Sequence, residues 1–235
     1  VETAAGPYLT GITRRSATVN VYFRRPVAVD LRVFSGREAV AAVSSPASRR
    51  HAVVVDGLEP NRVYRCVIRA GGNEIATLEG FRTAGRPGDS FTFAVYGDPR
   101  PGQTKTKRFH RTVVSRVRDA DPCFRLVLGD MVDDGSAPAD WEAFFDAESP
   151  LAGGVGLFPV RGDNDHDGGD GLFGRYFPAA AEGFYHFRWN GVHFFALNAW
   201  DARGAQDRGE LDAGSRQLRW LKERLSRPDV RAAPF

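Results

Sequence analysis

The residues best suited to chemistry are two Gly-Asp pairs, Gly97-Asp98 and Gly129-Asp130, each closing a short apolar run. The runs are Phe91-Thr92-Phe93-Ala94-Val95-Tyr96 and Phe124-Arg125-Leu126-Val127-Leu128. Between them, a helix-length segment spaces Phe109, Val113, Val114 and Val117 so that they share one face. Strand, helix and strand in succession predict two neighbouring parallel strands joined by a right-handed crossover. Both aspartates then stand at the carboxyl ends of adjacent strands, where open α/β sheets hold their ligands. Carboxylates converging there suit one task above others, the binding of a divalent or trivalent metal ion. A third acidic turn, Gly162-Asp163-Asn164-Asp165, follows Phe158-Pro159-Val160-Arg161.

In this order the motifs resemble those of the calcineurin-like metallophosphoesterases, and within them the purple-acid-phosphatase-like group. That pattern runs GD, then GDxxY or a variant, then GNH[DE]. Downstream, Phe184-Tyr185-His186-Phe187 and the stretch from Gly191 to Asn198 resemble the family's next hairpin. Gln217-Leu218-Arg219-Trp220-Leu221 resembles the helix after it, so the similarity spans residues 91–235. The resemblance implies a phosphate ester hydrolase in which two metals about 3.5–4 Å apart supply a hydroxide and offset the phosphoryl charge. Asp130 matches the bridging ligand and Asp98 a ligand to one metal. His110 faces the strand end in resembling sequences and stands as a catalytic candidate beside a capping or packing role. Arg100, Lys105, Lys107 and Arg108 either add positive potential at the mouth or simply solvate the first turn of the helix.

Three departures from the pattern bear on the metal. Asp133 replaces the tyrosine of GDxxY, which removes the phenolate that favours ferric iron over zinc or manganese. Gly162-Asp163-Asn164-Asp165 replaces GNH[DE]. In the direct register, which is the simpler, Asp163 becomes the ligand and Asn164 takes the histidine's place, where an amide cannot release a proton. In the shifted register Asn164 is the ligand and His166 the acid. The family's remaining ligands, histidines in HH and GHxH motifs, begin in resembling sequences shortly after a segment like Arg231-Ala232-Ala233-Pro234-Phe235. His186 and His193 lie in alternating runs and read as strand residues. The expectation is therefore half of a binuclear site on a fragment or one part of a split chain, with a separate C-terminal polypeptide as partner. Oxygen donors alone would hold Mg²⁺ or Ca²⁺ weakly and lack the nitrogen donors that retain zinc or iron.

A rival reading comes from Asp163-Asn164-Asp165-His166-Asp167-Gly168, which satisfies the opening of a calcium loop. Its twelfth position is Gly174, where a bidentate Glu is required. The alternative function is thus a catalytically degenerate binding or scaffold protein stabilised by calcium or another metal.

The elements that position these turns divide in two. Residues 1–85 alternate short strand-like runs with turns and predict an all-β sandwich. Leu58-Glu59-Pro60-Asn61-Arg62-Val63-Tyr64 resembles the fibronectin type III corner, in which a tyrosine hydroxyl bonds back to the nearby backbone. Gly85-Arg86-Pro87-Gly88-Asp89 reads as a linker, and residues 90–235 as an α/β metallophosphoesterase sandwich present in its first half. Of the 235 residues, 42% are hydrophobic and 26% charged, an ordinary balance for a globular chain. The net charge of +3 demands no nucleic-acid partner. No apolar run is long enough for a membrane span. Cys66 and Cys123 sit in apolar runs and read as small buried hydrophobes. The start at Val1 fits a processed form. The resemblance implies an extracellular or periplasmic location.

Overall fold

The structure is a computed structural model that describes residues 1–102, 104–166, 171–199 and 212–233. The first five strands are β1 (Thr3–Thr10), β2 (Ala17–Ser35), β3 (Glu38–Val55), β4 (Val63–Ala70) and β5 (Asn73–Arg82). All pairings among them are antiparallel, in the order β1-β2-β4-β5 with β3 on β2. The sequence reads residues 17–23 and 27–34 as separate strands, whereas the structure makes them one long strand. Its register breaks between Tyr22 and Val27, around Pro26, which has no amide hydrogen to give to a ladder. Before the break β2 pairs with β1 and the end of β3, and after it with the start of β3 and with β4. Alternate residues Val19, Val21, Val29, Leu31 and Val33 are buried on both sides of the break. The Tyr64 hydroxyl accepts from the Glu59 amide at 2.7 Å, the back-bond that the corner motif implies.

The chemistry-bearing turns sit on a second unit. Strands β6 (Phe93–Tyr96), β7 (Phe124–Leu128) and β8 (Gly156–Val160) form a parallel sheet in the order β6-β7-β8. Phe93 aligns with Phe124 and Phe124 with Gly156. Helix α1 (Thr104–Asp119) connects the first pair, as the strand-helix-strand pattern predicts, and α2 (Pro138–Glu148) lies in the second connection. Beyond α3 (Leu172–Tyr176) follow the hairpin strands β9 (Tyr185–Trp189) and β10 (Val192–Ala196), then α4 (Arg216–Ser226) and α5 (Pro228–Arg231). Phe187 of the hairpin stacks on Phe158 at 3.9 Å between ring centres and meets the edge of Phe124 at 5.6 Å. The opposite face of the sheet is covered by α1 and α2, with Val114, Val127, Trp141 and Phe144 buried between.

Helix α1 departs from the expected face. Val114 and Val117 are buried, but Phe109 is 61% exposed and Val113 is 39% exposed. The buried set runs His110, Val114, Val117, spaced four and three apart, so a histidine takes the core position that Phe109 was expected to fill. The linker also differs from expectation, because it is docked. Asn190 and Gly191 form the two-residue turn of the hairpin, both at positive φ (47° and 92°). The Asn190 side chain accepts from the Gly85 amide and donates to the Asp89 carbonyl, while its own carbonyl accepts from Gly88. Phe124, Phe158 and Trp189 share one core with Leu9, Ile12 and Leu78 of the first unit. No helix among the described residues is long and apolar enough to cross a membrane.

Candidate active site

Asp98 and Asp130 occupy the second positions beyond β6 and β7, at φ of 55° and 51°. Two backbone bonds fasten these turns together. The Asp98 amide donates to the Gly129 carbonyl at 3.0 Å, and the Arg100 amide donates to the Asp130 carbonyl at 3.3 Å. The Arg100 guanidinium turns back to form an ion pair with the Asp98 carboxylate. That bond, ahead of the nearby charges of Asp98, Asp130 and Asp133, raises the Arg100 pKa. One arginine is therefore the counter-charge for three acidic side chains, a role that the sequence reading reduced to general positive potential.

The third turn arrives from the tip of β8. Asn164 donates twice to Asp130, from its backbone amide to Oδ1 at 3.3 Å and from Nδ2 to Oδ2 at 2.8 Å. Asp163 is exposed, so the structure brings Asn164, and not the Asp163 of the direct register, against Asp130. The reason lies in Asp165. Its carboxylate is 1% exposed and accepts from the Met131 and Val132 amides through Oδ1 (2.8 and 3.3 Å) and from Gly162 through Oδ2 (2.8 Å). These bonds anchor the turn by Asp165 and leave the preceding Asn164 facing Asp130. Burial pushes the Asp165 pKa up to about 6 against the pull of the three amides. Gly162 is required by this closeness, since a β-carbon there would collide with the Asp130 carboxylate and amide. With both its oxygens engaged by backbone amides and its side chain buried, Asp165 is not placed as a calcium ligand, and Asp167 lies outside the described residues. His166 is half-buried and its amide donates to the Asp163 carbonyl at 3.3 Å.

His110 belongs to a different cluster. It is 4% exposed, with Nε2 at 2.7 Å from Glu148 Oε1. The Tyr96 hydroxyl reaches both Glu148 oxygens at 2.8 Å, and Arg125 Nε donates to Oε2 at 2.7 Å. Arg125 Nη1 also donates to the Val155 carbonyl. This quartet lies beneath the helices, and His110 is committed to it in place of the catalytic position. Burial by itself would raise the Glu148 carboxyl. The Arg125 guanidinium and the adjoining His110 and Tyr96 side chains outweigh it and hold the pKa below the usual value. The signal for the quartet was present in the sequence, as an arginine inside the apolar run Phe124-Arg125-Leu126. His186 and His193 lie on the hairpin as expected, with Nε2 of the first 2.8 Å from Nδ1 of the second.

The donor set at the strand tips is thus two carboxylates, Asp98 and Asp130, and the Asn164 amide. Among the described residues no group of three or more His, Cys, Asp and Glu converges in a way that holds a metal ion. An oxygen-only set fits a hard cation and lacks the imidazoles of a zinc or iron centre.

No protein-family model matches the chain, and no curated protein matches it. Solved structures do. The purple acid phosphatase PPD1 isolated from yellow lupin (Lupinus luteus) seeds superposes with a TM-score of 0.66 at 16% identity, over 93% of this chain and 47% of that one. PhoD superposes with a TM-score of 0.56 at 14% identity, over 80% of this chain and 50% of that one. At such identities the likeness shows the fold alone, which resembles that of this purple acid phosphatase and of PhoD. The chain spans about half the length of these structures.

Proposed function

We propose that this chain carries one half of the centre of a metal-dependent phosphoric ester hydrolase. The observation that carries the reading is the meeting of Asp98 and Asp130 at the carboxyl tips of adjacent parallel strands, tied by backbone bonds and faced by Asn164. Asp98 and Asp130 would hold the cation, with Mg²⁺, Mn²⁺ or Ca²⁺ preferred by the oxygen donors and Fe or Zn requiring nitrogen donors from elsewhere. When bound, such an ion lowers the pKa of water and offsets charge on the phosphoryl oxygens. Asn164 orients Asp130 through its two hydrogen bonds, and Asp165 holds Asn164 in place. Arg100, displaced from Asp98 by the cation, is free to pair with a phosphate ester oxygen. His166 is retained as the proton donor of the shifted register. Neighbours twice as long support a second half supplied by further sequence or by a separate polypeptide. The first unit is proposed as a fibronectin type III-like module, and the location as extracellular or periplasmic.

A second reading, a catalytically degenerate scaffold, is favoured by the ion pair that occupies Asp98. The two separate on one experiment. The complete protein supplied with Mn²⁺ should hydrolyse an aryl phosphate, and Asp130→Ala should lower the rate by 10³-fold or more. Calorimetric Mn²⁺ binding, read independently, should vanish in the same variant. Tight Mn²⁺ binding without hydrolysis would select the scaffold, and absence of both would end the metal reading.

A further inference from the structure

A groove of about 620 Å³ opens on the side of the parallel sheet away from β6. It runs between the edge of β8 (Leu157, Phe158, Pro159) and the edge of β9 (Tyr185 to Arg188), and it is closed at one end by the turn from Ile12 to Arg15. Its size lies within the range of small-molecule sites. Four consecutive residues of β9 give it a length of roughly 13 Å at about 3.3 Å per residue. Its walls are mainly apolar, whereas three arginines, Arg14, Arg15 and Arg188, border it with no acidic side chain among the described lining residues. None of the three forms a described ion pair; of the two carboxylates that share a neighbouring hollow with Arg14 and Arg15, Glu59 is taken by Arg62 at 2.7 Å and Asp89 accepts from the Arg86 amide at 2.7 Å.

The backbone along the groove is poorly disposed toward a peptide. Pro159 has no amide hydrogen, and its carbonyl already accepts from the Tyr185 hydroxyl at 2.9 Å. The Asn190 carbonyl at the far end accepts from Gly88. What remains on offer is an apolar groove with three guanidinium groups on its rim that enter no described ion pair. We propose that this groove binds an amphipathic anion, a monomeric alkyl carboxylate whose chain lies between β8 and β9 and whose head meets Arg14 and Arg15. The groove shares no residue with the carboxylate turns, so its occupancy and any hydrolysis are separately measurable.

The test is calorimetric titration of the full chain with decanoate at monomeric concentrations. One decanoate per chain is expected, with affinity falling about 15-fold on shortening to octanoate, since each buried methylene is worth about fourfold. Decyltrimethylammonium should not bind. The exposed pair Arg14→Ser/Arg15→Ser should weaken decanoate tenfold or more, and Ala179→Trp, which fills the groove from an exposed turn, should abolish binding, both at unchanged melting temperature. Equal binding of the cationic amphiphile, no dependence on chain length, or indifference to both variants would overturn the assignment. So would capture of an acidic peptide, or of anionic lipid vesicles, by a protein that takes up no decanoate.

Discussion

Glu148→Gln tests the buried quartet most severely. Glu148 is 2% exposed, accepts from Tyr96 and from Arg125, whose guanidinium is wholly buried, and has His110 Nε2 at 2.7 Å. The amide keeps the shape but removes the charge, and leaves Arg125 without its counter-ion. Breaking a buried pair in this way costs about 3–5 kcal/mol. Replacing both partners by apolar side chains, as in Arg125→Met/Glu148→Leu, removes the two desolvation costs together and should cost less than the single change. The pH dependence has a definite sign. The folded-state pKa of Glu148 is lowered, so its contribution is present above the unfolded value of 4.5 and is lost as pH falls through the folded value. Wild type and Glu148→Gln should therefore differ most at neutral pH and converge on acidification below about 4.5. Urea denaturation followed by circular dichroism at pH 7 and pH 4 reads both quantities. A single-variant loss under 1 kcal/mol, or a double variant less stable than the single, would refute the assignment of Glu148 as the counter-ion.

Three further outcomes follow from the turns. Asp165→Ala strips the acceptor from two buried amides and one half-buried amide and should cost about 2 kcal/mol or more, at about 1–3 for each unsatisfied buried donor, by the same denaturation assay. Gly162→Ala puts a methyl into the Asp130 carboxylate and should abolish Mn²⁺ binding by calorimetry, while the decanoate groove keeps its affinity. Arg100→Ala frees Asp98, so Mn²⁺ affinity should rise several-fold as the competing cation is removed, whereas KM for an aryl phosphate in the complete protein should increase.

The strand-helix-strand core was legible because its apolar runs are short, bounded by Gly-Asp turns and separated by a helical period, and all three signals are local. Asp98 and Asp130 could be placed for the same reason. The register of the third turn could not, because it depends on where the Asp165 carboxylate goes, and its amide partners are some thirty residues away (Met131 and Val132, |i−j| of 34 and 33). Helical spacing put Phe109 where His110 stands, because it fixes which residues share a face but not which face is buried; for His110 itself the packing alternative describes its place. Only the partner Glu148, at the end of another helix, decides that. The docked linker was equally hidden, since the Asn190 side chain that clamps it comes from a hairpin about a hundred residues downstream.

The strongest internal support for a functional edge is conformational. Asp98, Arg100 and Asp130 all have positive φ (55°, 28° and 51°) within two turns that touch. Aspartate tolerates this region better than most residues, but arginine does not, and each such residue costs on the order of 1–3 kcal/mol unless its surroundings enforce it. Here they do: the Gly129 and Asp130 carbonyls hold the first turn, and the amides gathered by Asp165 hold the second against the third. The proposed role would account for the cost, since two carboxylates and an arginine then present their charges at one edge of the sheet, as a phosphate ester and its cation would require.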